Sequence, residues 1–82
     1  MTQSTIETQL KEILAEVLEL SAVDLDDVKP STTLEQLGAD SLDGVELGQW
    51  IEDEFDIDIE AEVELHNLTF AQLVNLIIKS QP

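Results

Sequence analysis

Ser41 stands among carboxylates. In the stretch GADSLDGVEL, Gly38 to Leu47, it lies between Asp40 and Asp43, and Glu46 follows. A serine that attacks a substrate needs a base to take its proton, and carboxylates at these spacings do not supply one. The G-x-S-x-G turn of a nucleophile elbow is not formed around Ser41. His66 is the single histidine, and no oxyanion motif accompanies it. It reads as a surface or half-buried residue. Catalytic zinc draws on several His or Cys ligands, and this chain has one His and no Cys. The D-x-[DN]-x-[DN]-G calcium loop is absent, as is a Gly-rich phosphate loop. Glycoside hydrolysis needs two carboxylates across a cleft, and a small helical domain offers little cleft. The residue types therefore point away from an enzyme and from a resident metal. Ser41 is left as a residue that is acted upon, or one that begins a helix.

Charge narrows the partners. Asp and Glu number 19 against 3 Lys and Arg, for a formal net charge of −16. The three basic residues are Lys11, Lys29 and Lys79, and Asp40 to Glu64 holds eleven acids in 25 residues. Such a surface repels phosphates, so nucleic acid is disfavoured. It suits an enzyme with a basic patch, whose approach would be steered and salt-sensitive. Weak, non-stoichiometric binding of divalent cations is expected, because it relieves like-charge repulsion. An acidic interaction protein or nucleic-acid mimic accounts for the charge equally well. It does not account for the residues around Ser41.

With 82 residues, 43% of them apolar, the expectation is one domain, 1–82, with a small core. The opening MTQSTIETQLKE lacks the basic start and apolar run of a signal peptide. No apolar run approaches the roughly 20 residues of a membrane span. A soluble, cytoplasmic and monomeric protein is expected.

The elements that must hold Ser41 are legible in the apolar spacing. Ser4-Thr-Ile-Glu7 reads as a capping box. Ile6, Leu10, Ile13, Leu14, Val17 and Leu18 make one stripe on a first helix over about 5–19. From Leu20 to Ala39 the period fails amid Asp, Pro, Ser and Gly. A long ordered loop is expected there, pinned by Val23, Leu25, Val28, Leu34 and Leu37, with Thr33–Gln36 able to add one turn. Asp40 then caps a second helix, with Asp43 in its first turn where acids suit the helix dipole. This helix runs to about Glu54 or Phe55.

Leu47, Ile51 and Phe55 should face the core, while Leu42, Val45, Glu46, Gln49, Glu52 and Asp53 share the other side. Two apolar residues on an exposed charged face suggest a contact surface, unless Leu42 or Val45 tucks into the loop. Gly44 and Gly48 sit one turn apart in this helix, each costing roughly 1 kcal/mol against Ala. Asp56–Glu60 reads as an extended connection. Ala61, Leu65 and Leu68 fit a short third helix. Thr69, with Gln72 as reciprocal partner, caps a last helix whose apolar face is Phe70, Leu73, Val74, Ile77 and Ile78. The fold class is all-α, a four-helix bundle of three longer helices and one short third helix, with a long loop between the first two.

Leu37-Gly-Ala-Asp-Ser-Leu-Asp43, followed by Val45-Glu-Leu47, resembles the attachment motif of acyl carrier proteins. The likeness extends to length, acidity, helix order, the long first loop and the acidic helix after the serine. The resemblance implies that Ser41 receives 4′-phosphopantetheine from coenzyme A, added by a phosphopantetheinyl transferase. The thiol of that arm then carries acyl groups as thioesters. A phosphodiester there would sit at a helix N-terminus, which favours anions. Asp40 has two readings, as helix cap and as orienter of Ser41 or of a transferase-bound metal. Partners implied are that transferase, and acyltransferases, ketosynthases and related enzymes with basic docking patches. Leu42, Asp43, Val45, Glu46, Gln49, Glu52 and Asp53 are the implied partner-binding residues.

Some positions depart from the common fatty-acid carriers of that family. Gly stands at 44 and 48, where larger residues are frequent, Trp50 stands where a small one is, and Ile59–Asn67 lacks the usual third-helix pattern. A specialised carrier of a lipid, polyketide or hybrid pathway therefore stands as the alternative to a housekeeping one in fatty-acid biosynthesis. Carriers of this family can shelter an acyl chain beside the second helix. The two glycines either widen that pocket or leave room that Trp50 or Phe70 fills.

Overall fold

The computed structural model describes residues 2–60 and 62–81. Three long helices carry the fold: α1 (Gln3–Leu18), α3 (Ser41–Phe55) and α4 (Phe70–Ser80). A short α2 (Ala22–Asp26) lies within the loop between α1 and α3. Single 3-10 turns occupy Glu35–Leu37 and Leu65–Asn67. The all-α bundle expected from the apolar spacing is what forms.

α1 begins two residues earlier than the Ser4 cap would set it. Thr2 is its N-cap, accepting from the backbone N–H of Thr5, so the Ser4–Glu7 capping box does not form. Ile6, Leu10, Ile13 and Leu14 are buried, with Val17 and Leu18 packed beside them. α4 follows its expected signal closely. The Thr69 hydroxyl accepts from Gln72, and the Gln72 side chain accepts from the Thr69 N–H at 2.9 Å. Phe70, Leu73, Val74 and Ile77 enter the core, but Ile78 faces out at 40% exposure. From α3 come Leu47, Ile51 and Phe55, all buried as spaced. Removing a buried Leu such as Leu47 or Leu73 would cost roughly 2–5 kcal/mol.

The long loop is more ordered than its composition suggests. Ser21 and Asp24 form a capping box that starts α2. Its end is tied to the start of α4 by backbone hydrogen bonds: Leu34 N–H to the Leu68 carbonyl (3.2 Å), Phe70 N–H to Thr32 (2.8 Å) and Ala71 N–H to Pro30 (3.0 Å). Leu34 is fully buried, whereas Val23, expected as an anchor, is 70% exposed. The expected third helix shrinks to the turn Leu65–Asn67, with Leu65 buried and Leu68 packed against the core. Ala61, its expected first residue, lies outside the described residues. One turn suffices to bring Leu65 and Leu68 inward, and Val63 packs against the core just ahead of it.

Candidate functional site

Gly38 sets the approach to Ser41. It closes the 3-10 turn at φ 98°, a left-handed value that glycine adopts freely. Ala39 can then be buried and Asp40 can stand as the cap of α3. The Asp40 carboxylate accepts from the Asp43 N–H at 2.9 Å, and the Asp43 carboxylate accepts from the Asp40 N–H at 3.1 Å. The Asp40 carbonyl takes the Gly44 N–H at 2.9 Å. Both acids beside Ser41 are thus engaged by backbone, and Asp43 is a cap residue before it is a surface charge.

Ser41 is the first residue of α3 and is exposed. Its hydroxyl is engaged by no group among the described residues, and the N–H groups of Ser41 and Leu42 have no acceptor among them. An exposed hydroxyl beside free first-turn N–H groups, at the positive end of a four-turn helix, is a setting in which an anion attached to Ser41 is stabilised.

The outer face of α3 is open. Leu42 is 77% and Val45 63% exposed. Neither tucks into the loop. Glu46, Gln49 and Asp53 are exposed beside them. Glu52 differs, because it is half-buried and its carboxylate accepts from the Ile59 N–H at 2.9 Å. Trp50, at 45% exposure, belongs to the same outer surface and was not foreseen there. Its signal was the run Leu42, Glu46, Trp50 at i, i+4, i+8, which puts it in line with two face residues.

Beside Ser41 a cleft of about 440 Å³ opens between α3 and the segment that carries Leu65–Asn67. Gly44, Val45 and Gly48 floor it from α3, and Ile59, Val63, Leu65 and His66 wall it from the other side. The room at the two glycines is met by His66 and Leu65. A Cβ at Gly44 would lie 3.4 Å from the His66 N and 3.5 Å from its Nδ1. A Cβ at Gly48 would lie 3.4 Å from Leu65 Cδ1. Trp50 and Phe70, expected as possible fillers, do not fill it. The part played by His66 had no signal in sequence, since the contact joins residues 22 apart across an irregular segment.

The whole is a small helical bundle that presents an unengaged serine at a helix start, with a cleft alongside. A family model described as a phosphopantetheine attachment site matches residues 8–77. The chain belongs to that family, the carrier proteins of the acyl carrier type, which hold 4′-phosphopantetheine covalently and work with a phosphopantetheinyl transferase and synthesis enzymes. The geometry at Ser41 fits the group: the exposed hydroxyl is engaged by no group among the described residues, and the unpaired first-turn N–H groups would suit a phosphodiester held there. No helix among the described residues is long and apolar enough to cross a membrane.

Proposed function

We propose that Ser41 is the attachment point and that the protein is a non-catalytic, monomeric, cytoplasmic acyl carrier. The Ser41 oxygen bonds to the phosphorus of the phosphopantetheine half of coenzyme A. The bond from that phosphorus to the adenosine bisphosphate half breaks, its electron pair leaves with the bisphosphate, and the hydroxyl proton passes to the transferase. Asp40 holds the helix start, and with it the serine, in place. When bound, the arm supplies a thiol for thioester chemistry, and the chain's own residues supply position and docking.

The observation that carries this reading is the exposed, unengaged Ser41 hydroxyl at the first position of α3. Leu42, Val45, Glu46, Gln49 and Asp53 form the adjoining docking face for basic synthesis enzymes, acyltransferases and ketosynthases among them. The cleft beside Ser41 shelters the acyl chain. Gly44 and Gly48 set its depth, which favours a specialised lipid or polyketide cargo over that of housekeeping fatty-acid synthesis. Co-expression with a broad-specificity phosphopantetheinyl transferase tests the reading by intact mass. The wild type should gain one phosphopantetheine, and helical Ser41→Ala should gain none. Modification persisting in that variant would refute the assignment.

A further inference from the structure

The cleft beside Ser41 is not apolar throughout. Ile59, Val63 and Leu65 give it a hydrocarbon wall, and Gly44 and Gly48 a floor. Its polar lining differs from place to place. Two of its acids have partners: the Glu52 carboxylate accepts from the Ile59 N–H at 2.9 Å, and the Glu64 carboxylate accepts from Asn67 Nδ2 at 2.7 Å. Glu60, Gln49 and Ser41 are exposed, and solvent serves them. His66 has neither provision. It is half-buried, it lines the cleft, and its ring nitrogens have no partner among the described residues. They are also open to an incoming group, since Gln9 Oε1 is the one sealed side-chain polar atom without a partner among those residues.

An unpartnered imidazole on a cleft wall selects what can lie against it. A neutral imidazole donates from one ring nitrogen and accepts at the other. A saturated chain strips water from both and returns nothing, and a polar group desolvated without a partner is costly. A chain with an oxygen at that level restores a bond. Charge narrows the kind of oxygen. Glu52, Glu60 and Glu64 line the same cleft, so a carboxylate on the chain is repelled and a neutral hydroxyl is not. Position narrows its place on the chain. The His66 ring packs at Gly44, where a Cβ would lie 3.5 Å from Nδ1, and Leu65 packs at Gly48. Gly44 stands roughly 4.5 Å along α3 from Ser41, and Gly48 about 6 Å further. A chain that enters beside Ser41 therefore passes the polar group first and the apolar one after it.

We propose that His66 sets the cargo specificity of the cleft, and that the class it favours is an acyl chain with a hydroxyl close to the thioester, a 3-hydroxyacyl group. The saturated chain of the same length is disfavoured. The hydroxyl bonds to the imidazole at the level of Gly44, and the alkyl remainder lies against Gly48 and Leu65. This rests on the reading of the protein as a carrier whose cleft shelters its cargo, and it names the class of that cargo. A site built to bond a hydroxyl discriminates against the analogue that lacks one, because its own polar group is then left unpaired.

The test loads the full chain with octanoyl or 3-hydroxyoctanoyl arms, using a phosphopantetheinyl transferase and the matching coenzyme A thioesters. Thioester lifetime by mass spectrometry is divided by that of the same thioester on free pantetheine, which removes the intrinsic effect of the hydroxyl. In the wild type this protection should favour 3-hydroxyoctanoyl by roughly three- to tenfold. His66→Leu should abolish or invert the preference. His66→Gln, which keeps a donor and an acceptor, should retain part of it. The His66 ring resonances of the wild type should move more with the hydroxy chain than with the saturated one, a readout that needs no variant. Equal protection of both arms in the wild type, or a preference unchanged in His66→Leu, would overturn the proposal. Protection of neither arm would overturn it together with the sheltering role of the cleft. The mass gained at Ser41 reports attachment separately, so the carrier assignment stands or falls on its own.

Discussion

The backbone N–H of Ile59 donates to the Glu52 carboxylate at 2.9 Å, across seven residues and in a partly buried setting. The Glu52 carbonyl also takes the Ile57 N–H at 3.2 Å. One residue of α3 thus fixes the path of the chain just after the helix ends. Ile57 reaches the core and Ile59 the cleft wall as a result. Glu52 reads as a docking charge in sequence, but its main work is to hold one side of the cleft in place.

Glu52→Ala should therefore destabilise the domain more than removal of a neighbouring surface acid. A hydrogen bond to a charged group contributes about 1.5–3 kcal/mol. For a domain of this size, each kcal/mol shifts the melting temperature by roughly 4–8 °C. Glu52→Gln keeps an acceptor and should lose less. Thermal unfolding followed by circular dichroism, with amide exchange at Ile59, checks both. Unchanged Ile59 protection in Glu52→Ala would remove the argument.

Docking should depend on Glu46 and Asp53, the exposed acids of the α3 face. Exposed charge pairs are individually weak, so Glu46→Lys or Asp53→Lys alone should slow transfer mildly. The double variant should slow association with a cognate enzyme strongly and flatten its salt dependence. Stopped-flow association across a salt series reads this directly. A double variant with wild-type rates would place docking elsewhere.

Much of this arrangement is legible in residue order, and the limits have physical causes. Thr69 with Gln72 and Asp40 with Asp43 announce their helices because a cap is a local hydrogen-bond pattern. The buried Leu47, Ile51 and Phe55 follow from helical period alone. Thr2 took the cap expected of Ser4 because both are hydroxyl residues that offer the same local pattern, which does not by itself choose between them. The Leu34–Leu68 and Phe70–Thr32 backbone bonds join segments more than thirty residues apart, and no local pattern encodes them. The His66–Gly44 contact is of the same kind.

Asp40 separates two roles by substitution. Asp40→Asn keeps an N-cap acceptor and removes the charge, and Asn caps as well as Asp. Asp40→Ala removes both and should cost about 0.5–2 kcal/mol. If Asp40 is only a cap, Asp40→Asn should be loaded by the transferase at the wild-type rate. If its charge orients Ser41 or a transferase-bound metal, loading should slow while the melting temperature holds. Time-resolved mass spectrometry beside a melting curve distinguishes the two.

Self-repulsion should be measurable. Eleven acids lie between Asp40 and Glu64, with no Lys or Arg among them. Added magnesium or monovalent salt should raise the melting temperature from its low-salt value, magnesium at the lower concentration. A melting temperature indifferent to both would show that the acids are too well spread in solvent for their repulsion to matter.

Gly44 and Gly48 leave room that their neighbours only partly take. A Cβ at either position would meet ordinary contact distance, 3.4 Å from His66 N and from Leu65 Cδ1 respectively. Gly44→Ala with Gly48→Ala should therefore fit without rearrangement, and helix propensity should stabilise the domain by up to roughly 2 kcal/mol. The same two methyl groups would project into the floor of the cleft of about 440 Å³ beside Ser41. If the cleft shelters cargo, a long or branched acyl chain should be held less well, and its thioester should hydrolyse faster in the double variant. A short acyl chain, which does not reach Gly48, should show little difference. Thioester lifetimes by mass spectrometry for long and short chains, beside melting curves, supply the comparison. Higher stability with equal lifetimes for both chains would assign the glycines to close packing of His66 and Leu65 against α3 and to nothing more.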